Sequence, residues 1–324
     1  MTLVKNRSDI LDVLITGISG FVGSNLLNYL KSDDSIKITG SSRDISKISH
    51  LKNTIKEVCS YSKVYSEDMH FDVYVHLSGK VHDESNMSSE ADYMEANYVS
   101  TKKLFESFLN DKKAKKFIFL STIHVLTECP ERELDESYTP APFTPYGRSK
   151  YRAEQYIEKN CPPEKDYYIL RPSMIHGAGN KGNLNLLYKF VTNNLPYPVG
   201  AYNNKRTFVS AENLCFVISE LIKQDIKKGL YHVADDEPTY THDLVKLIAE
   251  LTGSKGKIWN INPLWLKTIA KIGNILPIPI NEHRLNKLTG DFIVSNKKLI
   301  KALNKTLPVK SKDGITKTIK SFNN

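Results

Sequence analysis

Apolar positions in the first part of the chain fall in short blocks, each followed by a stretch where they recur at helical spacing. The first block is Val13-Leu14-Ile15, after which Leu26, Leu27 and Leu30 mark one face of a helix. Further blocks at 35–39, 72–79, 116–122, 167–172 and 229–234 read as strands. Helices are expected at about 90–109, from 145 through Ala153, Glu154 and Ile157, at 184–191 and from Ala211. Strands alternating with helices predict an α/β fold built on a doubly wound parallel sheet. Beyond Pro172 the alternation loosens. The segment 177–183 is turn-rich, Pro196 and Pro198 break a helix, and 205–209 is short and extended. The tail from Tyr240 is helical and basic, with residues 264–280 its most apolar part. Lys267, Lys271 and the prolines there predict a helix and loop of a substrate domain, not a membrane anchor.

Length and composition narrow this picture. A chain of 324 residues, 40% hydrophobic and 25% charged, is expected to form about two globular domains. The first twelve residues are polar and carry no apolar signal core. Cys59, Cys129, Cys161 and Cys215 are scattered, as reduced thiols of a cytoplasmic protein would be. The net charge of +9 raises nucleic acid as a partner, but the lysines stand singly or in short pairs such as Lys112-Lys113 and Lys297-Lys298. No recognition helix or stacking platform accompanies them, so no nucleic-acid partner is expected. Such a surface is suited to steering an anionic substrate.

The candidate chemistry begins at the first strand's end, where Gly17-Ile18-Ser19-Gly20-Phe21-Val22-Gly23 leads into a helix. Strand, glycine turn and helix in that order are the setting of a dinucleotide loop. Gly17 permits the turn, Gly20 lets backbone approach a pyrophosphate, and Gly23 lets helix and strand pack closely. The second strand ends in Gly40-Ser41-Ser42-Arg43-Asp44. Small residues followed by Arg43 leave room and a cation for a 2′-phosphate, which favours NADP(H). Asp44 would instead favour NAD(H). His76 lies inside a strand and reads as a packed core histidine. His82 and Asp83 follow in a loop able to line a cleft. Ser121 and Thr122 stand at a strand's carboxyl end, where ligands bind in such sheets. Tyr146 and Lys150 are four residues apart on one helical face. A phenol of pKa about 10 needs help to move protons near neutrality, and a neighbouring ammonium is expected to lower it.

Together these segments resemble the extended short-chain dehydrogenase/reductase family, in its nucleotide-sugar epimerase, dehydratase and reductase branch. The matching pieces are Thr16-Gly17-x-x-Gly20-Phe21-x-Gly23, His76-Leu77-Ser78-Gly79, Asn97-x-x-Ser100-Thr101, Phe119-Leu120-Ser121-Thr122, Tyr146-Gly147-Arg148-Ser149-Lys150, Leu170-Arg171-Pro172 and Arg206-Thr207-Phe208-Val209. The resemblance implies a Rossmann domain of 1–172 and 205–236, and a smaller mixed substrate domain of 173–204 and 237–324. It implies Tyr146 as acid/base, Lys150 as its tuner and ribose ligand, and Thr122 as the hydroxyl on the reacting sugar oxygen, with Ser121 a possible stand-in. Gly17, Gly20, Phe21, Val22, Gly23, Arg43, Leu77, Ser78, Gly79, Asn97 and Pro172 would complete the cofactor site. His82, Asn183 and Arg206 would join Thr122 in holding the substrate, with Arg206 gripping its diphosphate.

Two positions depart from the family pattern. Val125-Leu126 and His176-Gly177 stand where Tyr-Gly pairs are commoner, which bears on specificity. Thr122 is followed by Ile123-His124 and not by an acidic pair, which disfavours a dehydratase. The expected reaction is reduction, by NADPH, of the C4 ketone of a UDP-2-acetamido-2,6-dideoxy-4-hexulose in bacterial surface-polysaccharide biosynthesis. The alternative is a UDP-hexose or UDP-N-acetylhexose 4-epimerase with tightly bound NAD. A homodimer through the helices carrying Asn97 and Tyr146 is expected by the same resemblance. A binding protein without catalysis is disfavoured by the intact Tyr146, Lys150 and Thr122.

Overall fold

The computed structural model describes residues 10–42, 44–53, 55–65, 69–81, 88–180, 182–274 and 280–322. Its first half runs β1 (Leu11–Thr16), α1 (Phe21–Leu30), β2 (Ile36–Ser42), a 3-10 segment (Ile45–Asn53), β3 (Glu57–Ser60), α2 (Tyr61–Val64) and β4 (Val73–His76). One long helical stretch follows: α3 (Glu90–Tyr93), a π-helical turn (Met94–Val99) and α4 (Ser100–Asn110). Next come β5 (Lys116–Leu120), a 3-10 turn (Ile123–Val125), α5 (Pro145–Asn160), β6 (Asp166–Pro172), β7 (Met174–His176) and α6 (Asn183–Thr192). The remainder is β8 (Lys205–Arg206), β9 (Phe208–Ser210), α7 (Ala211–Lys223), β10 (Gly229–Val233), β11 (Thr239–Tyr240), α8 (Thr241–Thr252), α9 (Pro263–Ile272), α10 (Glu282–Thr289), α11 (Lys297–Leu303) and α12 (Ser311–Ser321).

Seven parallel strands form the main sheet in the order β10-β6-β5-β4-β1-β2-β3. The chain winds outward one way from β1 to β3 and the other way from β4 to β10, so the direction reverses between β1 and β4. In doubly wound sheets a ligand crevice opens at that reversal, outside the carboxyl ends of the strands. Thr16 is level with Ser41 and with His76, and His76 with Phe119, so these ends lie side by side.

Alternation along β1 explains the layering. Val13 and Ile15 point into a core with Leu26 and Leu30 of α1 and Leu214, Val217 and Leu221 of α7. Leu14 points the other way, to Phe105 and Phe108 of α4, Ala153 of α5, and Phe117 and Phe119 of β5. A sheet buried on both faces needs such runs of apolar residues. A third core joins α6, α8, α9, α10 and α12 through Leu184, Leu244, Ile248, Leu266, Leu285 and Ile315. Leu299 and Leu303 of α11 belong to the first core, against β10.

The structure departs from the sequence expectations at three places. β2 continues to Ser42, so Gly40, Ser41 and Ser42 are strand residues. β3 is an added edge strand. The extended segment at 205–209 divides into β8, antiparallel to β11, and β9, parallel to β7. No described helix is long and apolar enough to cross a membrane.

Candidate active site

The β1–α1 turn is closed by backbone. Gly17 has φ +71° and donates to Ser41 O at 2.9 Å, while Gly20 N donates to Gly17 O at 2.9 Å. A Cβ on Gly17 would lie 2.8 Å from Ser78 N, and one on Gly23 only 2.3 Å from Gly17 O. Each side chain would therefore push apart the β1 turn, the β4 exit or α1. Gly20 caps α1 without a side-chain hydrogen bond, and the first turn, which begins Phe21-Val22, has no acidic residue. Its free N–H groups and the positive end of the helix dipole suit a diphosphate. The residues present thus fit a dinucleotide. Phe21 closes one side, its ring edge 3.2 Å from where a Gly177 Cβ would stand.

The end of β2 bears on the adenosine end of such a ligand. Ser41 and Ser42 are buried, and Ser42 Oγ lies 3.4 Å from Ser19 Oγ. Asp44 accepts from the Ser46 backbone N–H at 3.0 Å and hydroxyl at 2.6 Å, which turns its carboxylate into its own loop. Arg43, the expected 2′-phosphate ligand, lies outside the described residues, as does His82.

At the exit of β4, Leu77 N donates to Thr16 O at 3.2 Å and the Ser78 hydroxyl bonds that of Tyr61. A Cβ on Gly79 would meet both Asn97 Oδ1 and Lys150 Nζ at 2.9 Å, so glycine lets the two side chains converge here. Asn97 comes from the π-helical turn. Its amide accepts from Lys80 N at 2.7 Å and donates to Lys80 O at 3.0 Å and Ser149 Oγ at 2.9 Å, fastening the β4 loop to α5. His76 is fully buried between Thr16 (2.6 Å) and Thr101 (2.9 Å), and burial lowers its pKa to about 3. It is a core histidine, as expected.

The Tyr-Lys helix is set by local chemistry. Thr144 caps α5 by accepting from Gly147 N at 3.0 Å, and Pro145 occupies the first turn, where its missing N–H costs nothing. Tyr146 and Lys150 then project toward the end of β5. The Tyr146 phenol faces the Thr122 hydroxyl, which favours its ionisation, and lies near Tyr93, which disfavours it. Lys150 is buried, donates to Leu120 O at 2.9 Å and sits 4.7 Å from the centre of the Phe119 ring. Burial pulls its pKa down to about 7. The same cause pushes Tyr146 up to about 12, despite the Thr122 hydroxyl. This corrects the expected lowering of Tyr146. Desolvation is the largest cause of both shifts, acting on the phenol in one and on the ammonium in the other.

The other expected residues separate. Ser121 donates to Glu154 and not toward Tyr146, because neighbouring residues in an extended segment face opposite ways. Glu154 is in turn held by Arg171. This buried trio escaped the sequence reading, although Glu154 follows Lys150 by one helical turn. Pro172 is buried at the end of β6, level with Val233. Asn183 begins α6, exposed, with its amide 3.4 Å from Met174 Sδ. Arg206 donates through Nη2 to the carbonyls of Lys287 (2.6 Å) and Leu288 (3.0 Å) in the last turns of α10, with no described partner for its other nitrogens.

Comparison with known proteins agrees with this geometry. The profile of the NAD dependent epimerase/dehydratase family matches residues 13–234. UDP-glucose 4-epimerase of Vibrio cholerae is 27% identical over 324 residues, covering 96% of this chain and 95% of that protein. N-acetyl-alpha-D-glucosaminyl-diphospho-ditrans,octacis-undecaprenol 4-epimerase of Escherichia coli O157:H7 is 28% identical over 256 residues, covering 76% and 73%. Among solved structures, Bordetella bronchiseptica WbmG in complex with NAD aligns with a TM-score of 0.76 at 14% identity, over 99% of this chain and 96% of that one. UDP-glucuronic acid 4-epimerase of Bacillus cereus, with UDP-glucuronic acid and NAD, aligns at 0.74 and 18% identity, over 97% and 99%. The fold is that of the extended short-chain dehydrogenases, and the chain belongs to the NAD dependent epimerase/dehydratase family.

Proposed function

We propose that the protein is a 4-epimerase acting on a hexose or N-acetylhexose joined through a diphosphate to a carrier, with NAD as the resident cofactor. The observation that carries this reading is that Tyr146 and buried Lys150, which donates to Leu120 O, face the end of β5 where Thr122 stands, beside the glycine cradle. Tyr146 Oη takes the proton of the C4 hydroxyl and returns it to the same oxygen. Thr122 Oγ1 hydrogen-bonds that oxygen and fixes its orientation. Lys150 Nζ, whose pKa burial pulls well below that of a free lysine, would favour the phenolate when it is charged. Bound NAD would supply the reversible hydride chemistry at C4, with hydride leaving one face of the sugar and returning to the other. Gly17, Gly20 and Gly23 would hold its diphosphate, and Asn97 keeps the β4 loop against α5. The carrier is uridine by similarity to the Vibrio relative and a polyprenol by similarity to the Escherichia one. Residues 1–172 and 205–236 serve the cofactor in this reading, and 173–204 and 237–324 the sugar.

The same proton machinery serves a 4-reductase, and one observation favours that second reading. The end of β2 presents buried Ser41 and Ser42 with no carboxylate, and Asp44 is engaged by Ser46, which leaves space for the 2′-phosphate of NADPH. The full-length similarity to a 4-epimerase weighs more.

The test is to incubate the purified protein with UDP-glucose or UDP-N-acetylglucosamine, without added cofactor, and follow the anomeric protons by NMR. The galacto isomers should appear, and denaturation should release NAD. Stoichiometric consumption of NADPH by a 4-keto sugar nucleotide, with no isomerisation, would establish the reductase instead.

A further inference from the structure

Helix α9 is amphipathic with its apolar side turned outward. Leu266 and Ala270 alone are buried, against the third core. Leu264 is 72% exposed, Trp265 67%, Ile269 42% and Ile272 46%. At about 100° per residue these four and Thr268 fall on one continuous arc. Lys267 and Lys271 flank that arc and are exposed. Trp259, just upstream, is 54% exposed. Along the sequence the charge here is one-sided: residues 255–289 contain four more lysines and arginines beyond those two, against a single acid, Glu282, with Lys287 paired to Glu128 of another loop. Isolated exposed apolar side chains are common, but a stripe of this kind along one helix marks an interaction surface.

The composition of the stripe selects its partner. Lysines are depleted from the centres of protein interfaces. Tryptophan with aliphatic side chains, flanked by lysine, is what an interfacial helix presents to lipid headgroups. The face also adjoins the candidate site. α10 packs beside α9, Lys287 and His283 of α10 hold Glu128 in the loop beyond Thr122, and the His283 ring stacks on Phe143 at 4.8 Å, three residues before Tyr146. Phe143 is itself 62% exposed.

We propose that the outward face of α9 docks the protein on the surface of a bilayer containing anionic lipid, with Trp265, Ile269 and Ile272 seated at headgroup depth and Lys267 and Lys271 on the phosphates. The protein lies on the membrane and does not span it. The docking itself is independent of the reaction. It deepens the proposed function by supplying a reason for a diphosphate sugar carried on lipid, and that part rests on the epimerase reading.

The two tryptophans of the chain, Trp259 and Trp265, both lie in this region, so intrinsic fluorescence reports on it. The full-length protein is mixed with vesicles of phosphatidylglycerol and phosphatidylethanolamine, or of phosphatidylcholine alone, and assayed by cosedimentation and tryptophan emission. Binding to the anionic vesicles with a blue shift is expected, and little to phosphatidylcholine. Trp265→Ser with Ile269→Ser should weaken binding at least about tenfold, and Lys267→Glu with Lys271→Glu by about fivefold per lysine. Conversion of a soluble UDP-sugar by the Ser variant should stay unchanged, because both residues are exposed. Absence of vesicle binding, equal binding to phosphatidylcholine, or a homodimer that the Ser variant abolishes in place of vesicle binding would each overturn the proposal. Failure of the epimerase reading would show instead as vesicle binding without sugar isomerisation.

Discussion

Arg171 at the end of β6 holds Glu154 of α5 through two parallel hydrogen bonds, Nε to Oε1 at 3.0 Å and Nη2 to Oε2 at 2.6 Å. Both side chains are buried, and Ser121 adds a third bond to the same carboxylate. The pair therefore connects the helix of Tyr146 and Lys150 to the segment that carries Thr122. Arg171→Met should cost about 3–5 kcal/mol in unfolding free energy, because it leaves a buried carboxylate without its cation. Arg171→Met with Glu154→Leu should recover most of that loss in denaturant titrations. A double variant no more stable than the single one would mean the pair is not an isolated charge couple.

Tyr146→Phe removes the proton carrier while keeping the ring. Turnover should fall by about 10²–10⁴-fold, with dinucleotide affinity little changed. Thr122→Val should give a smaller loss, because it orients the oxygen without moving the proton. If Tyr146→Phe kept turnover within about tenfold of the wild type, another group would have to be the acid/base.

Gly23→Ala places a methyl group 2.3 Å from Gly17 O, and that contact can be relieved only by moving α1 away from the turn. Dinucleotide binding measured by calorimetry should weaken by at least about tenfold, since the helix N-terminus shifts relative to the phosphates. Wild-type affinity in a folded Gly23→Ala protein would show that the cradle is elsewhere.

His76 and His232 are both buried, and burial lowers their pKa values to about 3 and about 4. The unfolded chain, with histidine near about 6.5, binds more protons than the folded one below that pH. Their contribution is therefore complete above about pH 6.5 and declines as pH falls toward the folded values. Unfolding free energy should rise from pH 4 to pH 6.5, and His76→Asn should flatten part of that slope. A slope unchanged in the variant would remove His76 as a source.

Much of this site could be read before the fold was known. The β1–α1 turn was legible because an apolar block, three glycines and a helical period follow one another without interruption. The Tyr146 helix was legible from Pro145 and the four-residue spacing. β3 was not, because only Cys59 of its four residues is buried and no alternation marks it. The direction of the Tyr146 shift depends on how far the phenol itself is desolvated, which spacing does not encode. The grip of Arg206 on α10 joins residues 81 and 82 positions apart through backbone carbonyls, which carry no side-chain signature. The opposite facing of Ser121 and Thr122 was available in principle, since extended neighbours alternate.

The π-helical turn at Met94–Val99 has a consequence for how this chain tolerates length changes. Downstream of it, Leu104, Phe105 and Phe108 stay locked on the sheet; upstream, Glu90 meets Arg148 of α5 at 2.8 and 2.9 Å and Tyr93 lies by Tyr146. The widened turn accommodates one residue more than an α-helical path would. Deleting one residue of 94–96, ahead of Asn97, would return the stretch to ordinary helix with α3 and α4 keeping the faces they present now. Glu90 would stay on Arg148 and Tyr93 beside Tyr146, so the widened turn is where this helix absorbs a one-residue change, while the same change elsewhere in it would turn one half against the other by about 100°.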